Sequence, residues 1–120
     1  MENHFELSDL EFEHWFESCL LDPLIFNHEA HLRLAYIHIK KYGEQKAIDN
    51  VCSQLMAYVT HLGATDKYNT TLTVAAVKAI NHFMQKNSKM DFKGLITEFP
   101  QLKFGFKRLM QCHYSFDIFD

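Results

Sequence analysis

Along most of the chain apolar residues recur at spacings of three and four, the period of a helix with one buried face, and nowhere does a segment need the alternation of a strand. Ser8 followed by Glu11 makes an S-x-x-E capping box. Phe12, Trp15, Phe16, Cys19 and Leu20 then fall on one side of a first helix of about three turns, closed before Pro23. Asn27 suits the cap of a second helix reaching about Tyr42, where Gly43 stops it and Lys40 and Lys41 complement the negative end of its dipole.

A third helix is expected from Glu44 to Leu62, with Ala47, Ile48, Val51, Leu55, Tyr58 and Leu62 on one face and Gly63 after it. Its connection to the second helix is so short that the two should pack antiparallel. Residues 64–69 form a loop. A fourth helix, capped by Asn69 or Thr70, gathers Ala76, Val77, Ile80, Phe83 and Met84 on its apolar side and Lys78, Gln85 and Lys86 on the other. Asn87-Ser88-Lys89 interrupts the pattern, Asp91 caps a short helix through Phe99, and Pro100 separates it from a last one over Leu102 to Leu109. The fold expected is all-α, a single-domain bundle of four main helices with one or two short C-terminal helices, spanning residues 1–120.

Composition agrees with that pattern. A chain of 120 residues that is 48% hydrophobic, with 4 Gly and 2 Pro, can bury one substantial core and has few turns. The formal charge of -3 gives no basic patch for phosphate, so nucleic acid is not an expected partner. Cys19, Cys52 and Cys112 are odd in number and widely spaced, which suits neither a disulfide framework nor a cysteine zinc site and points to a reducing cytoplasm. The acidic start MENHFELSDLEFEHW reads as neither a signal peptide nor a membrane segment, and no membrane contact is expected.

Candidate chemistry concentrates in FNHEAHLRLA, Phe26 to Ala35. At 100° per residue, one arc of the second helix holds Glu29, Arg33, Tyr36 and Lys40, with Ile37 and Lys41 at its edges; this is the arc expected to face solvent, with Glu29 and Arg33 as an i,i+4 ion pair. The opposite arc holds His28, His31, Leu32, Leu34, Ala35, His38, Ile39 and Tyr42, so three histidines share the face that the leucines bury. A buried imidazole needs a hydrogen-bond partner or a metal, and burial disfavours its charged form. Thr73, on the apolar face of the fourth helix, and Tyr68, just before it, are placed to meet this stripe, whereas Thr71 points outward. His14, His61 and His82 read as surface residues, and His4 falls in a loose terminus.

Two classes of function follow. In the first, His28, His31, His38, Tyr68 and Thr73 line a buried pocket for a small polar ligand, with Arg33 and Lys67 as anion contacts at its rim and a catalytic use for the imidazoles left open. A divalent metal on His28 and His31 is a weaker version, because no H-E-x-x-H is present and Glu29 points away. The stretch Asp66 to Thr73 reads as a loop and helix cap, or as an anion site at a helix N-terminus. In the second class the histidines are held by neighbouring hydroxyls in a structural network, and the chain is a non-catalytic protein-interaction module. Self-association, or docking of the apolar and acidic tail FDIFD in a groove, would then be its activity. A nucleophile pair of Cys112 with His113 is disfavoured, since sequence neighbours on a helix do not face one another.

Three runs, F-x-H-x-x-H-L-R-L-A at Phe26 to Ala35, K-Y-x-x-T-x-T at Lys67 to Thr73 and L-x-x-x-H-Y-S at Leu109 to Ser115, occur in this order over residues 24–116. In them the chain resembles a family of small, uncharacterised bacterial helical proteins. The resemblance implies that His28, His31, Tyr68, Thr71 and Thr73 belong to a common site, without implying a reaction. In that family a histidine follows the tyrosine of the second motif, and an acidic residue or a histidine comes next. Here those positions are Asn69 and Thr70, so a metal site of the family's kind would lack a ligand.

Overall fold

The Ser8 hydroxyl accepts from the Glu11 backbone N–H while the Glu11 carboxylate accepts from that of Ser8, and this reciprocal cap starts α1 (Asp9–Glu17). The computed structural model describes residues 3–87 and 89–113, the last four of these by backbone alone. After α1 come α2 (His28–Tyr42), α3 (Glu44–His61), α4 (Thr70–Lys86), α5 (Phe92–Glu98), α6 (Gln101–Phe104) and α7 (Phe106–His113). Single turns of 3-10 helix lie at His4–Glu6, Pro23–Ile25 and Thr65–Lys67. There is no strand among the described residues, and the fold is all-α. The FDIFD tail, with Tyr114 and Ser115 of the third motif, lies outside the described residues, as do the side chains of Cys112 and His113.

The helix boundaries follow local chemistry. Asn27, Asn69 and Asp91 each accept from a backbone N–H three residues on, opening α2, α4 and α5. At the end of α3, Gly63 takes φ +71°, and the backbone N–H groups of Gly63 and Ala64 close on the carbonyls of Thr60 and Val59. That Schellman closure turns the chain into the loop carrying Lys67, and it needs the left-handed conformation that glycine adopts without cost. The last helix expected from sequence is split at Gly105 into α6 and α7.

Helices α2, α3 and α4 pack against one another around a core that includes Leu32, Leu34, Ala35, Ala47, Val51, Leu55, Tyr58, Val77 and Ile80. Joined through Gly43 alone, α2 and α3 fold back on each other. Helix α2 is the centre of the molecule and departs from the expected division into two arcs: Arg33, Tyr36 and Ile37, read as facing solvent or at its edge, are 4%, 3% and 5% exposed. The cause is a cover on that side. Residues 3–7 run across it, and α5 packs there with the Tyr36 hydroxyl donating to the Met90 carbonyl just ahead of it at 2.9 Å. Tyr42, expected inside, lies near the end of α2 at 41% exposed and donates its hydroxyl to Glu13.

Candidate functional site

The start of α2, the loop before α4 and the first turns of α4 meet over the middle of α3. Between them lies a cavity of about 130 Å³ whose polar lining is His28, His31, Lys67, Asn69 and Thr73. Its walls are apolar, with Leu32, Val51, Leu55, Leu72 and Val77 behind and Phe106 of α7 closing one side. A second cavity, of about 280 Å³, shares His31, Leu55 and Lys67 with the first and runs on between Phe26, Tyr58, Leu62 and Tyr68. Four of the five residues expected in a buried pocket, His28, His31, Tyr68 and Thr73, line two adjoining cavities, with Lys67 at both, but His28 and His31 are exposed there rather than buried, because the cavities open to solvent at the start of α2.

Each imidazole is fixed differently. His28 Nε2 lies 2.9 Å from the Leu102 carbonyl oxygen, so Nε2 carries a hydrogen. Its ring meets Phe106 edge-on at 4.8 Å. His31 stacks on Phe26 at 4.0 Å between centroids, and Phe26 in turn packs on Phe16 and Tyr58. This aromatic group is pinned by the Tyr58 hydroxyl, which donates to the Leu21 carbonyl at 2.8 Å. No hydrogen bond to His31 side-chain nitrogens is made by any group among the described residues.

The surrounding protein, and then the neighbouring His28, lower the His31 pKa to about 4. The ring nevertheless keeps an exposed surface toward the cleft, which preserves part of the hydration of its charged form and moderates that shift. At neutral pH His31 is an uncharged imidazole offering one N–H and one lone pair to the cleft. Thr73 uses its hydroxyl hydrogen on the Asn69 carbonyl at 2.8 Å, and the Asn69 side-chain oxygen caps Leu72 at 2.9 Å. Tyr68 has its pKa raised first by burial. Both α2 and α4 begin at the cleft, so the positive ends of two helix dipoles add to the charge of Lys67 there.

Two expected members are elsewhere. His38 is fully buried, as the helical projection required, but lines neither cavity. It lies further along α2, with Nδ1 3.4 Å from the Asn50 amide nitrogen; burial lowers its pKa, against the pull of Glu13 and Glu17. Its Nε2 has no protein hydrogen-bond partner among the described residues. Arg33 is no rim residue at all. Its guanidinium donates to Asp9 at 2.8 Å and 3.1 Å, to the His4 carbonyl at 2.6 Å and to the Leu7 carbonyl at 2.8 Å, on the side of α2 away from the cleft.

The expected pairing of Glu29 with Arg33 is replaced as well. Glu29 accepts from His4 Nε2 at 2.9 Å and pairs with Lys103 at 3.0 Å. Burial pushes its pKa up, but the hydrogen bonds from His4 and Lys103 outweigh that and hold it low. His4, expected in a loose terminus, is wholly buried. Among the described residues no three His, Cys, Asp or Glu side chains gather closely enough to hold a metal ion, so His28 and His31 find no third ligand of those types there.

Sequence alone did not indicate Phe26 as the stacking partner of His31, nor Phe106 as the cover of His28. Phe26 did stand inside the first motif, five residues before His31 and across the turn of the Asn27 cap; Phe106 gave no local signal. Among the described residues no helix is long and apolar enough to cross a membrane. Comparison of the chain with protein-family models, curated proteins and solved structures finds no match.

Proposed function

We propose that the protein binds a small polar molecule in the cleft between α2, α3 and α4, with His31 and Lys67 as its contacts. The observation that carries this reading is the position of those two side chains. They line both cavities, and neither has a side-chain hydrogen bond or ion pair among the described residues, whereas His28 and Thr73 beside them are committed to carbonyls. A polar group held at an apolar cleft without a protein partner is what a binding site keeps in reserve for a ligand.

Binding suits the site better than proton transfer. An imidazole whose pKa is lowered by its surroundings is a poorer base at pH 7 and a sound neutral hydrogen-bonding group. The three-motif resemblance supports the same place, because four of its five positions, His28, His31, Tyr68 and Thr73, line the two cavities, and Thr71 alone does not.

A saturation-transfer NMR screen of small neutral, cationic and anionic polar compounds tests the reading. Ala76→Leu, which fills the first cavity, should abolish the responses seen with the unaltered protein, and Ala57→Leu on the exposed side of α3 should not. A screen without binders, or one unaffected by Ala76→Leu, would overturn it.

A further inference from the structure

We infer that the ligand of this cleft is a small carboxylate carrying a short apolar body. The inference rests on the binding reading above and names the chemical class that reading leaves open.

Charge comes first. Among the described residues Lys67 is the single charged residue lining either cavity, and no carboxylate lines them. An amine would therefore meet Lys67 with no anion to offset it, whereas an anion meets a cation at the mouth of an apolar slot.

Hydrogen-bonding capacity narrows the head group. His28 Nε2 and the Thr73 hydroxyl already donate to carbonyls and Asn69 is engaged as well, so among the described lining side chains the donors without a protein partner are the Lys67 ammonium and one ring N–H of His31. Two donors from two directions suit the two oxygens of a carboxylate. A phosphate or sulfate dianion brings more charge and more acceptors than one lysine and one neutral imidazole satisfy.

The walls describe the rest. Val51, Leu55, Val77 and Phe106 offer nothing to a hydrated inorganic ion and would lose contact with water on covering an apolar body. A cavity of about 130 Å³ is close to the size that accommodates a benzene ring, roughly six carbons. The second cavity, beginning at the same His31 and Lys67, gives room for a longer or branched chain from the same head position.

Isothermal titration calorimetry at pH 7 with acetate, butyrate, hexanoate, hexan-1-ol and hexylamine, on the unaltered protein and on Lys67→Met, tests the inference. Hexanoate should bind about tenfold tighter than butyrate, from two further buried methylenes. Lys67→Met, a change at an exposed side chain checked by circular dichroism, should weaken hexanoate about tenfold and leave hexan-1-ol unaffected. Hexan-1-ol or hexylamine matching hexanoate would overturn the carboxylate head, and equal affinity from acetate to hexanoate would overturn the apolar body; both leave the cleft as a binding site. Carboxylates that fail to bind while other compounds of the NMR screen occupy the cleft sink this inference alone. Silence in both experiments sinks the binding reading with it.

Discussion

Arg33 Nη1 lies 3.3 Å from His4 Nδ1 and 2.6 Å from the His4 carbonyl oxygen, so one guanidinium holds both the ring and the backbone of the residue that anchors the N-terminal segment. A guanidinium only donates, so Nδ1 accepts and Nε2 carries the hydrogen that reaches Glu29. Residues 3–7 are thereby fastened along α2, and Arg33 stacks over Phe12 at 4.8 Å beneath them. The fastening backs the helix that carries His28 and His31 on its other side.

Arg33→Met keeps the stem over Phe12 but strands the His4 and Leu7 carbonyls and part of the Asp9 carboxylate. A loss of about 3 kcal/mol is expected in urea unfolding, the usual cost of removing one partner from a buried charged network. Arg33→Lys should recover little of it, because an ammonium on a flexible stem does not span acceptors that a planar fork reaches together. A lysine variant as stable as the unaltered protein would contradict this account of the N-terminal anchor.

Stability should fall as the solution is acidified through the histidine range. His4, His31 and His38 all have pKa values held below the ordinary 6.5, by burial first in each case, so the folded chain keeps them neutral while the unfolded chain takes up protons. Stability from these groups is complete above about pH 6.5 and declines as pH drops below it. Glu11, Glu13 and Glu29 have pKa values held below the ordinary 4.5, and they add a second decline under that value. At the alkaline end burial raises the Tyr58 pKa from 10.0 to about 12, so stability should be lost again as pH climbs from 10. Urea midpoints measured from pH 4 to 11 check both limbs, and a midpoint that does not move between pH 7.5 and 5 would count against the buried neutral histidines.

How much of this was legible in the sequence differs between the two sides of α2. Caps and stops at Asn27, Gly43, Gly63, Asn69 and Asp91 act within a few residues, so the helix boundaries could be read locally. The inner face was readable too, because Leu32, Leu34 and Ala35 carry the helical period and bring His28 and His31 along toward Thr73. The outer arc was misread because a two-face projection grants every helix one side to solvent. Tyr36 and Ile37 beside Arg33 were the sign that this arc was not polar throughout, and Phe5 and Leu7 were the apolar residues available to cover it. His38 shares the inner face in projection, yet its distance along the helix takes it past the cleft to Asn50. A helical wheel discards that axial coordinate.

The central claim is that a small polar ligand sits against His31 and Lys67. The most direct measurement is a two-dimensional NMR titration of protein labelled on histidine rings and on Leu and Val methyl groups, using the best binder from the screen. The account expects saturable shifts of the His31 ring and of the Leu55 and Val77 methyls, with the His38 ring unmoved; shifts that bypass His31, or spread over α1 and α5 while the cleft methyls stay fixed, would contradict it.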